Sequence, residues 1–100
     1  MQIDVNEKDN LIELVVNGDI EMMTIKNFKQ TLFEIGQDTD KDIEIDLSNV
    51  DYIDSSGVGV LISLLKLQKK KGKSLIINKV SAKVLNVLKL SSLADVFNVQ

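Results

Sequence analysis

The greatest capacity for chemistry in this chain lies in Asp54-Ser55-Ser56-Gly57, where two adjacent hydroxyls stand between a carboxylate and a glycine. A serine at the mouth of a helix can serve as an N-cap, accepting a backbone N–H bond that contributes typically ~1 kcal/mol. One cap needs one hydroxyl, so the other is free to react or be modified. Gly57 and Gly59 remove side chains from the start of the helix, at up to ~1 kcal/mol each relative to alanine. That cost implies a close approach to this backbone. The unpaired N–H groups at the positive end of the helix suit an anionic group such as phosphate. Asp51, Asp54 and, if the sheet brings their loop alongside, Asp19 and Glu21 oppose it. Phosphorylation adds about −1.5 to −2 charge, enough to invert a surface fitted to a neutral hydroxyl. The residues alone narrow such a site to the serine pair.

Composition removes most rival chemistries. The chain has no Cys, His or Trp, so thiol nucleophiles, imidazole bases and the common zinc and haem ligands are missing together. A serine hydrolase built on Ser55 would lack its base, and Gly57-Val58-Gly59 does not form a Gly-x-Ser-x-Gly elbow. Position 58 is Val, which excludes a Ser-x-x-Lys pairing from Ser55. A phosphate loop with its lysine is also absent. All 12 basic residues are lysine, leaving no guanidinium to clamp a phosphate bidentately.

The net charge of −3 conceals a divided chain. Residues 1–54 carry 14 acids against 4 lysines, a net −10; residues 55–100 carry 8 lysines and Asp95, a net +7. Lys66, Lys69, Lys70, Lys71 and Lys73 cluster at a predicted helix end without interleaved aromatics. They read as solvated charge that favours the helix dipole, and no direct nucleic-acid partner is expected. No apolar run approaches the roughly 20 residues of a membrane span, and Met1-Gln2-Ile3-Asp4 does not resemble a signal peptide. The expected location is cytoplasmic, with no membrane partner.

One hundred residues with 44% hydrophobic content suit one domain over residues 1–100. Ile3–Val5 and Leu11–Val16 read as a hairpin joined by a polar turn. Asn17-Gly18-Asp19 ends the second strand, and Thr24 is positioned to cap a helix with Ile25, Phe28, Leu32 and Ile35 on its apolar face and Gly36 as its stop. Asp42–Leu47 alternates strictly, as a strand with one buried face does. From Ser55 to Gly72 runs the main packing helix, with Val58, Leu61, Ile62, Leu64, Leu65 and Gln68 inward. Ser74–Ile77 reads as an interior strand in parallel pairing. Ser81 caps a last helix with Val84, Leu85 and Leu88 inward, and residues 93–99 read as a helical turn and an edge strand. The sum is an α/β fold, a mixed sheet of four to five strands flanked by helices.

The stretch from Ile45 to Leu61, with Asp54-Ser55-Ser56-Gly57 inside a strand–turn–helix, resembles the signature of STAS domains, specifically the bacterial anti-anti-sigma factors, or anti-sigma factor antagonists. Gly18-Asp19-Ile20-Glu21 is similar to the family's Gly-x-Leu/Ile-Asp pattern, with Glu21 for the usual Asp, and Leu88–Phe97 is similar to its tail. The resemblance implies a STAS-like fold and a phosphoprotein without catalytic residues, metal or cofactor of its own. Ser55 is then the phosphoacceptor, with Asp19, Glu21, Asp54, Ser56, Gly57 and Val58 in the partner-binding surface and Ser56 as the helix cap. The implied partners are an anti-sigma factor that is also an ATP-using serine kinase, and a metal-dependent serine phosphatase. Unphosphorylated, such a protein binds the kinase and frees its sigma factor; phosphorylated, it is released. The free protein is expected to be a monomer. A STAS scaffold or regulatory subunit of a transporter or signalling assembly, not controlled by phosphorylation, is the rival.

Overall fold

The computed structural model describes residues 1–90 and Phe97. Its elements in chain order are β1 (Gln2–Glu7), β2 (Leu11–Asn17), α1 (Ile25–Asp38), β3 (Asp42–Asn49), α2 (Ser55–Lys70), β4 (Leu75–Val80) and α3 (Ala82–Leu90). The four strands form one mixed sheet in the order β1-β2-β3-β4. Three residues separate β1 from β2, so the two pair antiparallel as the expected hairpin. Helices separate β2 from β3 and β3 from β4, and both pairs are parallel. The turn and strand expected across residues 93–99 lie, apart from Phe97, outside the described residues. Phe97 is fully buried, and its carbonyl accepts from the Ile77 amide at 3.3 Å.

Strict alternation gives the sheet two unlike faces. Ile12, Leu14 and Val16 of β2 and Ile43, Ile45 and Leu47 of β3 are buried, while Glu13, Val15, Glu44 and Asp46 between them are half-exposed. The apolar face receives Phe28 and Leu32 from α1, Leu61, Leu64 and Leu65 from α2, and Val84 and Leu88 from α3. At about 25 cal/mol per Å² of apolar surface, this burial is the main stabilising term.

Several expectations need correction. Gly36 does not stop α1, which continues to Asp38. It lies buried where α1 meets α2, and a Cβ there would fall 2.6 Å from Leu64 Cδ1. The glycine is a helix-contact residue. Among the described residues β4 is the last strand in the order, with Leu75 and Ile77 buried and Ile76 half-buried, and the interior position expected of it turns on residues outside those described. Ile25, Ile35, Ile62 and Leu85 are also half-buried, because each sits at the margin of its helix's packed face. Gly72, with φ +70°, does follow the end of α2 as expected.

Two long side chains at the end of α2 tie it to its neighbours. Lys71 Nζ crosses to the end of α1, donating to the carbonyls of Gly36 and, at 2.6 Å, Thr39. This lysine therefore serves the neighbouring helix rather than being only solvated charge. Gln68 is fully buried, and its Nε2 donates at 3.0 Å to both Lys41 and Ser74 carbonyls, at the starts of β3 and β4. Gln68→Met keeps the volume but removes both donors, so it is expected to cost about 1–2 kcal/mol in urea denaturation. Wild-type stability would show that these bonds contribute nothing net.

Candidate functional site

The serine pair is held by a joint between two loops distant in sequence. Gly18, at φ +110°, turns the chain out of β2, a conformation that glycine adopts without a Cβ penalty. Ile20 then pairs with Ile53 in an isolated parallel bridge. Its N–H donates to the Tyr52 carbonyl at 2.9 Å, and its carbonyl accepts from the Asp54 amide at 3.0 Å. Ile20 and Ile53 are both buried. The joint thus brings Asp19 and Glu21 alongside Asp54, Ser55 and Ser56, the arrangement that the sequence left conditional.

The loop continues in a tight turn. Thr24 occupies the N-cap position of α1 as expected, but its hydroxyl does not cap that helix. It donates to the Asp19 carbonyl at 2.7 Å and accepts from the Glu21 amide at 3.1 Å. The hydroxyl is spent on fixing the loop, so residues 19–24 have a defined shape beside the serines.

The cap of α2 is Asp54, and Ser56 does not have that role. Asp54 Oδ1 accepts from the Ser56 amide at 3.0 Å, the Gly57 amide at 3.2 Å and the Ser56 hydroxyl at 2.5 Å. Extended backbone at Asp54, φ −99° and ψ −179°, aims its short carboxylate at these donors. The helix mouth is therefore not a vacant anion site, since its own carboxylate already holds two of its amides. Ser55 and Ser56 are both exposed in the first turn. Their hydroxyls differ: Ser56 Oγ is bound to Asp54, whereas Ser55 Oγ has no hydrogen-bond partner among the described residues.

Gly57 and Val58 are buried. A Cβ at Gly57 would stand 2.5 Å from Ile20 Cγ2 and 2.8 Å from Ile53 Cγ1. The close approach inferred at this glycine is thus made by the protein's own bridge. Gly59 is different, because a Cβ there would meet nothing within 4 Å. Asp19 is exposed and Glu21 and Asp54 are half-exposed. The sequence reading missed three exposed apolar residues on the same loops: Met22, Met23 and Tyr52. The available signal was two consecutive methionines outside any periodic pattern.

Hydrogen bonds from the Ser56 hydroxyl and then the Gly57 N–H hold the Asp54 carboxyl below the usual carboxylate range. A depressed pKa contributes stability that is present above the unfolded Asp value and lost as pH falls through the folded one. Asp54→Ala is expected to destabilise the fold at neutral pH, since it removes the helix cap. The gap between variant and wild type should shrink on acidification through the carboxylate range, followed by denaturant melts at several pH values. A pH-independent gap would contradict capping by the charged carboxylate.

Among the described residues, no helix is long and apolar enough to cross a membrane, and no acid cluster has a metal-binding arrangement. A sheet backed by helices on one face, with its free chemistry gathered at one loop–helix junction, defines a small α/β domain that presents a surface serine. The chain belongs to the STAS family: the family model described as Mlab, STAS domain matches residues 3–99.

Relatives and solved structures agree with this assignment. The anti-sigma-B factor antagonist of Staphylococcus aureus is 29% identical over 99% of this chain and 92% of its own length. The crystal structure of a candidate anti-sigma factor antagonist from Thermotoga maritima superposes with a TM-score of 0.87 at 25% identity, covering 97% of this chain and 84% of that one. The unphosphorylated anti-sigma factor antagonist SpoIIAA superposes at 0.81 and 14% identity over 94% of this chain and 84% of its own. The phosphorylated form of SpoIIAA, from Bacillus, gives 0.73 at 14%, covering 94% and 86%. At that identity SpoIIAA speaks for the fold alone.

Proposed function

We propose that this protein is an anti-sigma factor antagonist whose binding is switched by phosphorylation of Ser55. Unphosphorylated, it engages an anti-sigma factor that is also an ATP-using serine kinase, and so frees the sigma factor. Phosphotransfer from ATP to Ser55 Oγ ends the complex, and a metal-dependent serine phosphatase restores the hydroxyl. The chain supplies the acceptor and the docking surface, the kinase supplies the catalysis, and the exchange takes place in the cytoplasm.

The observation that carries this reading is the difference between the two serines. Ser55 is exposed and its Oγ has no hydrogen-bond partner among the described residues, whereas Ser56 Oγ already donates to Asp54. Attack on a γ-phosphoryl group needs a hydroxyl that can enter a kinase site and lose its proton there. Ser55 meets that need without breaking the helix cap. The anti-sigma-B antagonists, similar over nearly the whole chain, support the choice of partner.

The test is incubation with a purified anti-sigma serine kinase and ATP, followed by phosphopeptide mass spectrometry. Phosphate at Ser55, lost in Ser55→Ala, is the expected result. Phosphate confined to Ser56, or none with a kinase that binds the protein, would overturn the proposal. The family model's description, Mlab rather than an anti-sigma name, favours a second reading: an unphosphorylated STAS scaffold or regulatory subunit of a transporter or signalling assembly. That reading requires stable co-purification with such an assembly, unaffected by Ser55→Asp.

A further inference from the structure

Met22 and Met23 are 80% and 85% exposed, and Tyr52 is 54% exposed. All three lie within three residues of the Ile20–Ile53 bridge, beside the serine pair. Large apolar side chains gathered on one small surface mark an interaction site more strongly than the same residues scattered singly. Their backbone is fixed as well. The Thr24 and Ile25 amides donate to the Glu21 carbonyl at 3.0 and 2.8 Å, closing a turn with the two methionines at its tip. A flexible thioether on a fixed backbone can adapt to a pocket at little ordering cost.

Charge narrows the occupant. Residues 9–25 and 42–65 contain no lysine, and they supply Asp19, Glu21, Asp51 and Asp54 around the apolar tip, against Lys26 and Lys29 at the start of α1, the latter lining a shallow pocket with Ser56, so that the ring is net acidic. This ring repels an anionic lipid surface and suits a protein with a cationic rim. An apolar centre within a polar rim is the usual anatomy of a protein interface. We infer that Met22 and Met23 are the apolar anchor of the Ser55 site, entering a hydrophobic pocket with a basic rim on the kinase that docks there. The inference rests on the Ser55 reading and adds the contact that holds the kinase in place.

The probe is a purified anti-sigma serine kinase, titrated calorimetrically against wild type, the double variant Met22→Gln/Met23→Gln, and Val5→Gln. Val5 is 51% exposed on β1, remote in sequence from the bridge, and controls for any exposed apolar residue. The double variant should melt like wild type, raise Kd about 30-fold or more, and raise KM for phosphorylation with kcat unchanged. Val5→Gln should stay within twofold. Added salt should weaken wild type and double variant by similar factors, since the charged rim is intact in both. A double-variant Kd within twofold of wild type overturns the anchor, as does an equal loss in Val5→Gln. A salt-independent Kd overturns the basic rim. Light scattering that finds a wild-type dimer, lost in the double variant, assigns the patch to a second copy and overturns the inference. A wild type that does not bind the kinase overturns the Ser55 reading along with it, whereas normal binding by both proteins overturns the anchor alone.

Discussion

Ser55→Asp is expected to bind the anti-sigma kinase at least ~100-fold more weakly than wild type, about 2.7 kcal/mol, while Ser55→Ala binds as wild type does. Both should melt normally, because the side chain is exposed and its hydroxyl has no partner among the described residues. The cost of the carboxylate arises under the partner. It lies next to Asp54, whose Oδ1 already accepts from the Ser56 and Gly57 amides, so neither donor is available to it. A charge desolvated without a partner is costly. Attraction between the acidic ring and a basic rim on the kinase acts mainly on the rate of encounter and does not relieve that local penalty. Calorimetric titration of the three proteins checks the result, and equal affinities would remove the switch.

The second large effect separates two glycines that look alike in Gly57-Val58-Gly59. Gly57→Ala is expected to lose about 1–3 kcal/mol, and Gly57→Leu more than ~3 kcal/mol, because the added atoms meet Ile20 and Ile53 in the buried joint. Neither isoleucine has open space into which to retreat, being 0% and 2% exposed. The gain of about 1 kcal/mol in helix propensity on replacing glycine offsets only part of this. At Gly59 nothing opposes that gain, so Gly59→Ala should stabilise by up to ~1 kcal/mol. For a domain of this size each kcal/mol moves Tm by roughly 4–8 °C, so thermal melts should order the proteins Gly59→Ala, wild type, Gly57→Ala. The reverse order would show that the bridge does not pack as described.

What the sequence revealed follows from which interactions are local. Alternation in Asp42–Leu47 and the three-to-four-residue spacing in α1 and α2 are imposed by a single buried face, so strands, helices and the mixed sheet could be read directly. Asp19 and Glu21 could be placed near Ser55 only conditionally, because the Ile20–Ile53 bridge joins residues far apart in the chain. Gly36 read as a helix stop because glycine has the same letter at a C-terminus and at a helix contact; the nearby Leu64 side chain decides between them. Similarly, Ser56 read as the cap because serine and aspartate both suit that position. The extended backbone at Asp54 assigned the role to the carboxylate, leaving the hydroxyls unequal. The family resemblance had pointed to Ser55, and the hydrogen bonds supplied a physical ground for separating the pair.

The Ile20–Ile53 bridge also bears on when the site exists during synthesis. It closes a loop that contains α1 and β3, so a nascent chain that has emerged only through α1 has Asp19 and Glu21 but no serine beside them. Nor does a chain released as far as Ser56 have α2 to bury Gly57 against the isoleucines. Such a non-local closure must wait for the chain between its two ends, and its loop-closure entropy has to be overcome before the contact forms. If the Ser55 proposal holds, a kinase that reads both loops together finds them so placed only in chains where the bridge has closed.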